Sequence, residues 1–309
     1  MPVQARYQKA QAFLADLVTH SPELPFEPTL LPELFAATAD NSMQSTQHIA
    51  GLVERSPGLA TRVLRLANSA YYGMQTSVSS LSHAIRLLGL NEVRNIILKI
   101  GTASIASKLR FPKEFSFDNL WEHHILTANL ARSIAQAMPK DDFVLEHSPG
   151  PDEIYAAGLL HDMGKTLLAS RCAEDWLAIH DLAACENLPF HKAEEDYWGL
   201  DHSVVGTRML TFWGLPPDLT ELVGWHHSPC QTKETYKTAT RILAAANLLA
   251  QRPVAEFPAD QEGNPALALP EEIASFLPET VNMAKLAASI MSCSGKGSVL
   301  HMTTAVMEK

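Results

Sequence analysis

Helical periodicity is the feature of this chain that most restricts its fold. Apolar residues recur three and four positions apart in nearly every segment, as at Ala10, Phe13 and Leu17. Residues suited to helix starts precede several of these segments, including Ser45 and Pro57. The sequence lacks the sustained alternation of apolar and polar residues that is typical of strands. The chain is therefore predicted to be all-α.

One segment looks like a junction between two helical halves. Lys108 to Phe117 contains Pro112 and three phenylalanines and interrupts the helical pattern. We expect two packed helical subdomains, with an N-terminal helix extension over residues 1–23, a first subdomain over 24–110, a second over 111–251, and a C-terminal polar excursion with helices over 252–309. In the second half, the pattern predicts helices over 121–138, 153–170, 173–186, 191–198, 203–213, 217–226 and 238–250.

Charge and composition restrict the partners. The chain has 24 Lys and Arg against 34 Asp and Glu, a formal net charge of −10, which argues against a general affinity for nucleic acid or anionic membranes. Its four cysteines lack any paired short spacing and are typical of reduced thiols. No uncharged apolar run reaches the roughly 18 residues of a membrane span. We expect a cytoplasmic protein.

An adjacent histidine and aspartate, His161 and Asp162, end the apolar run from Tyr155. Metal coordination is the usual reason for such a pair, because zinc, iron and manganese sites draw on imidazole and carboxylate. The alternative is a helix-end histidine beside a solvated aspartate. Histidines in helical segments elsewhere favour the metal site: His123, His124, His202, His226 and His227. The others are interpreted as surface or packing residues: His20, His48, His83, His147, His180, His191 and His301.

Two blocks of sequence carry a family resemblance. The first runs SPGLATRVLRLANSAYYG from Ser56 to Gly73 and continues as SLSHAIRLLG from Ser80 to Gly89. It resembles the HDOD family, bacterial signalling proteins within the HD superfamily of metal-dependent phosphohydrolases. The usual aspartate before the proline is Ser56 here. The likeness covers roughly residues 24–250.

The second block resembles the HD core. It comprises WEH (121–123), GLLHDMGK (158–165), DH (201–202) and WHHSP (225–229). The resemblance implies a second subdomain with an HD-like helical core, in which Asp162 bridges divalent metals, either iron, zinc, manganese or nickel. It implies these histidine ligands: His123, or else His124, with His161, His202, His226 and His227. The superfamily's final aspartate ligand is Asn247 here, and a neutral amide is a poorer ligand for a hard cation.

The resemblance leaves two functions open. One is a non-catalytic or weakly catalytic regulatory module that binds a small ligand or a partner protein, expected to be another signalling protein. Its input is expected through a partner or through the chain's own ends. The other is a metal-dependent phosphohydrolase acting on nucleotides or cyclic dinucleotides, in which Asp162 and Lys165 are catalytic and Lys165 contacts the phosphate. Asn247 argues for the first function. So does Ser228-Pro229-Cys230, which replaces the Gly-Tyr-Pro tail of cyclic-dinucleotide phosphodiesterases.

Overall fold

The protein is helical throughout the part that its structure, a computed structural model, describes. That part comprises residues 3–19, 30–37, 44–69, 78–139, 148–251 and 271–277, with residues 281, 282 and 286. No strand occurs within these residues, which confirms the all-α prediction. None of the helices in these ranges is both long enough and apolar enough to cross a membrane. Most of the C-terminal region predicted over 252–309 lies outside the described residues.

Helices account for most of the described residues. In chain order they are α1 (Val3–Thr19), α2 (Leu30–Ala37), α3 (Thr46–Glu54), α4 (Pro57–Ala67), α5 (Leu81–Leu88), α6 (Leu90–Ala106), α7 (Phe117–Ala137), α8 (Pro151–Leu160), α9 (Met163–Arg171), α10 (Ala173–Glu186), α11 (Phe190–Trp198), α12 (His202–Phe212), α13 (Pro217–Trp225), α14 (Glu234–Ala250) and α15 (Glu271–Ala274).

The chain divides into two compact units. The larger unit takes Met1–Ser21, Arg110–Leu210 and Pro217–Val299, and the smaller unit takes Pro22–Leu109, Thr211–Pro216 and Leu300–Lys309. One division falls between Leu109 and Arg110, inside the Pro- and Phe-rich segment. The N-terminal helix α1 belongs to the larger unit, which also contains all the histidines predicted to be metal ligands.

The smaller unit is built on local signals that the sequence displays. Ser45 caps α3 by accepting a hydrogen bond from the backbone nitrogen of His48 at 3.2 Å, and Pro57 occupies the first turn of α4. Asn68 then fixes the end of α4, because its side chain both accepts from and donates to the backbone of Val78, at 2.7 and 2.8 Å. The next long helix, α6, begins at Leu90, directly after Gly89 ends α5.

The larger unit is organised around α7, α8 and α14, which pack against one another. Small residues allow this close approach. Gly158 on α8 faces Ala128 on α7 so closely that a Cβ at Gly158 would lie 2.6 Å from the Ala128 Cα. Three alanines of α14, at 244–246, are also buried. The tight contact brings the polar residues at the ends and inner faces of these helices together.

Gly158→Ala is expected to destabilise the larger unit by about 1–3 kcal/mol, because an added methyl would overlap backbone atoms of α7 and outweigh the helix propensity of alanine. Urea unfolding followed by circular dichroism measures the change. Gly206→Ala on α12 is the matched control, since a Cβ there would meet its nearest atoms at 3.5 Å, an ordinary contact. Equal unfolding midpoints for the two variants would contradict the packing argument.

Candidate metal centre

The His161-Asp162 pair lies on a break between two helices. α8 ends at Leu160 and α9 begins at Met163, and Asp162 takes φ −102° and ψ 10°. The single helix predicted over 153–170 is therefore wrong. On a continuous helix the neighbouring side chains would point about 100° apart. The turn instead lets both reach one site, with His161 Nε2 lying 3.4 Å from Asp162 Oδ2.

The carboxylate of Asp162 is at the centre of the histidines and is fully buried. Its Oδ1 lies 2.8 Å from His202 Nε2 and 3.7 Å from His226 Nε2. Its Oδ2 lies 3.4 Å from His161 Nε2 and 3.7 Å from His123 Nε2. Each oxygen thus faces a different pair of imidazoles.

These residues form two groups of potential ligands that share Asp162. The first group is Asp162, His202, His226 and His227, and the second group is His123, His161 and Asp162. Within each group the ligand atoms lie within 4.8 Å of one another. Asp162 Oδ1 and His226 Nε2 are buried and make no hydrogen bond among the described residues. A donor set of imidazole nitrogens around one carboxylate suits a divalent transition metal.

Three of the imidazoles are held by their other ring nitrogen. Nδ1 of His161 donates to the Gly158 carbonyl at 2.9 Å, and Nδ1 of His226 donates to the Val223 carbonyl at 2.7 Å. Nδ1 of His202 pairs with a carboxylate oxygen of Glu194 at 2.5 Å. Each arrangement directs Nε2 to the centre, as is usual for histidines that bind metals.

Glu194 is a site residue that the sequence reasoning missed. The same Oε2 that pairs with the His202 ring accepts the His202 backbone N–H at 3.0 Å, and the residue is fully buried on α11. The available signal was its position four residues before Trp198, on the buried face of that helix. Glu194 can orient His202 and raise its basicity.

Most of the imidazoles are neutral at pH 7. Burial lowers the pKa of His123 to about 3 and that of His226 to about 4, and burial beside His226 and His202 holds the pKa of His227 well below its usual value. Neutral imidazole is the form that coordinates metals. These three histidines need lose no proton to bind an ion.

His202 and Asp162 are the charged pair of the centre. Burial by itself would lower the pKa of His202, but Glu194 and Asp162 outweigh it and raise that pKa to about 9. Burial by itself would raise the pKa of Asp162, but His161, Lys165 and His202 outweigh it and hold that pKa well below its usual range. A metal must therefore displace a proton from His202 at neutral pH.

Metal affinity of the first group is expected to rise by roughly tenfold per pH unit toward pH 9 and then level off, because His202 is protonated below its raised pKa. In Glu194→Gln the pKa of His202 falls, so the affinity should level off at a lower pH. Anaerobic Mn²⁺ titrations at several pH values measure this. Glu195→Gln, one residue away on the outer side of α11, should keep the wild-type profile. Identical profiles for all three proteins would contradict the role given to Glu194.

Lys165 and Asn247 set the second group apart from the first. The Lys165 ammonium lies 2.6 Å from Asp162 Oδ2. Asn247 is buried on α14, accepts a hydrogen bond from Gln251 at 3.0 Å, and slightly opposes the lowering of the His123 pKa. A carboxylate at position 247 would add a negative ligand beside His123, whereas the amide adds none.

His124 stands behind the centre. Neither of its ring nitrogens has a hydrogen bond within the described residues, and its ring centre lies 5.3 Å from that of His161 and 5.9 Å from that of Trp121. It belongs to neither ligand group. Of the two alternatives that the sequence left open, the structure places His123 in the second group.

Comparison with known proteins decides the family. The sequence matches the HDOD domain over residues 24–229, which is more than half of the chain. The chain belongs to the HDOD family. An uncharacterized protein of Treponema pallidum (strain Nichols) is 24% identical over 274 residues, which is 89% of this chain and 49% of that protein. The chain thus spans about half the length of this curated relative.

Solved structures share the HDOD fold. An HDOD domain protein with unknown function from Geobacter sulfurreducens superposes with a TM-score of 0.70 at 21% identity, covering 99% of both chains. A candidate phosphohydrolase from Shewanella amazonensis SB2B gives 0.69 at 21% identity, over 95% of this chain and 97% of that one. A candidate signal transduction protein from Marinobacter aquaeolei VT8 gives 0.63 at 22% identity, over 91% of this chain and 60% of that one.

A cavity of about 920 Å³ opens beside the candidate metal centre of this HDOD protein. Its floor includes Asp162 and Lys165, and aromatic rings form one wall: Phe115, Trp176 and Phe190, with His180 and His191. The sequence predicts the last two to be surface or packing residues. Both make packing contacts at the cavity: His191 stacks on His227 with ring centres 3.9 Å apart, and His180 stacks on Trp176 at 5.2 Å. The cavity is of the size that takes a small ligand.

Helices outside the HDOD match, among them α1 and α14, belong to the same unit as the candidate metal centre. α14 supplies Asn247, and α1 packs on α11, the helix that carries Glu194. Lys9 of α1 lies 2.7 Å from the Asp175 carboxylate, and Phe13 packs on Trp198 with ring centres 5.6 Å apart. The surroundings of the metal centre therefore include residues on both sides of the matched range.

Proposed function

We propose that this HDOD protein is a cytoplasmic signal-transduction module that binds a divalent metal and hydrolyses phosphate esters slowly or not at all. Its partner would be another signalling protein. The observation that carries the proposal is the shortage of negative charge in the two ligand groups. Asp162 is the one carboxylate shared by both groups, Lys165 neutralises its Oδ2, and Asn247 contributes no charge beside His123.

The chain's residues suit binding better than turnover. Asp162, His202, His226 and His227 would hold the metal, and Glu194 would orient His202. A bound divalent metal supplies Lewis-acid activation of water and of a phosphate ester. Rapid hydrolysis needs a firmly fixed coordination shell with one open position, and a missing carboxylate loosens that shell. The signal-transduction description of the Marinobacter structure is in keeping with this proposal.

Metal content and turnover test the proposal together. Protein purified without chelator should contain iron, zinc, manganese or nickel clearly above background by elemental analysis. The same protein, with metal added, should turn over p-nitrophenyl phosphate, nucleotides and cyclic dinucleotides little or not at all. Protein that stays metal-free after incubation with each ion would refute the proposal.

The second candidate function is a metal-dependent phosphohydrolase. The complete set of histidines and the cavity that places Lys165 beside Asp162 favour it. One fold neighbour, from Shewanella amazonensis, is described as a candidate phosphohydrolase. In this case Asp162 and Lys165 would be catalytic, with Lys165 contacting the phosphate. Robust wild-type turnover that disappears in Asp162→Ala would establish it.

A further inference from the structure

Lys165 stands where the metal centre meets the cavity. Its ammonium lies 2.6 Å from Asp162 Oδ2 and 5.7 Å from the centre of the Phe190 ring on the cavity wall. Oδ2 is also the oxygen that faces His123 and His161. A cation of the protein therefore already sits against the carboxylate oxygen that the second group needs for a metal.

The first group differs because no lysine or arginine among the described residues lies against its carboxylate oxygen. Asp162 Oδ1 faces the imidazoles of His202 and His226, which are themselves ligands of that group. Among the described residues that line the cavity, Lys165 is the only lysine or arginine. A phosphate group with two negative charges can compete with the single charge of Asp162 for this ammonium, and lysine is a common phosphate ligand.

We propose that Lys165 is a displaceable occupant of the second metal position, and that a phosphate-bearing anion in the cavity draws it from Asp162 and opens the second group to a metal. The inference rests on the proposed function, because it requires a first metal group that binds. Phosphate and the second metal then each favour binding of the other, since coupling between two sites is reciprocal.

Mn²⁺ binding with and without inorganic phosphate tests the inference. Equilibrium dialysis counts the ions per chain, and electron paramagnetic resonance distinguishes single Mn²⁺ ions from coupled pairs. Wild type should bind one Mn²⁺ without phosphate and bind a second about tenfold more tightly with it, within the usual range of coupled sites. Lys165→Met, which keeps the apolar stem, should bind two Mn²⁺ without phosphate and lose most of the phosphate effect.

Two further variants make the result decisive. Lys165→Gln should behave as Lys165→Met does, and circular dichroism shows whether each variant is folded. Lys192→Met removes an exposed lysine that pairs with Glu195, so it should behave as wild type.

One Mn²⁺ per chain in every protein and condition would overturn the inference and leave the proposed function standing. No Mn²⁺ in any sample would overturn the inference, and the proposed function would fall with it if iron, zinc and nickel also failed to bind. An equal phosphate effect in wild type and Lys165→Met would show that Lys165 is not the occupant and overturn the inference alone.

Discussion

Asp162→Asn is expected to lose metal binding at both ligand groups, with an affinity reduced by about 100-fold or more. The reason is that the two groups share this one carboxylate, and its replacement leaves only neutral imidazoles to face a divalent ion. The substitution also leaves the buried His202 and the nearby Lys165 without their common counter-charge, a loss of about 3–5 kcal/mol when buried pairs are broken. Elemental analysis and urea unfolding of the same preparation measure the two effects.

Asp175→Asn is the matched control for this variant. Asp175 is a buried aspartate of the same unit, it pairs with Lys9, and it lies outside both ligand groups. It should cost stability but keep the wild-type metal content. If Asp162→Asn retained the full metal content as a folded protein, the ion would be held elsewhere and the assignment of both groups would be wrong.

Asn247→Asp is expected to convert an inert protein into a metal-dependent phosphatase or phosphodiesterase. The new carboxylate would lie beside His123 and offset the charge of Lys165, so metal affinity at the second group should rise by about 10- to 100-fold. Turnover of p-nitrophenyl phosphate and of bis-p-nitrophenyl phosphate, with each metal added in turn, measures the gain. Activity should go from background to a clearly measurable rate.

Asn119→Asp adds the same charge to the cavity lining without placing it in a ligand group, and it should stay inactive. The double variant Asp162→Asn, Asn247→Asp should also be inactive. Robust turnover by the wild type would show that the amide at position 247 is no obstacle to hydrolysis. A wild type and Asn247→Asp that bind metal equally would show that position 247 takes no part in the centre.

The helices were predictable because their signals are local. Ser45 and Pro57 mark helix starts through the conformation of their own backbone and neighbours, and both lie where the sequence indicates. The start of α7 was harder to predict, although the sequence contains a signal for it. α7 begins at Phe117 rather than near Trp121, because Ser116 accepts a hydrogen bond from the Asn119 backbone nitrogen. Ser116 lies inside a Pro- and Phe-rich segment, and serine is common both in loops and at helix starts. Its capping role was therefore hard to recognise from the sequence.

The geometry of the site was less accessible to sequence reasoning. Histidines could be recognised as candidate ligands from their residue type and the family pattern, but the break at His161 depends on contacts that only the fold provides. Glu194 and Glu195 are neighbours of the same residue type. The packing of α11 buries Glu194 and leaves Glu195 partly exposed, and the sequence does not show this difference. Likewise, His191 acquires its stacking partner His227 from the turn after α13, which is distant in sequence.

The contact between α1 and α11 affects which fragments of an HDOD protein should be expressed, and which residue range should be used to compare HDOD sequences. A fragment limited to residues 24–229 would lack α1, leaving Trp198 and Asp175 without Phe13 and Lys9, and would lack α14, which packs on α7 and α8. Such a fragment would be a poor reporter of the intact protein. A catalogue of relatives that reads only this range would also miss position 247, and so would group chains with an amide there together with chains that have a carboxylate.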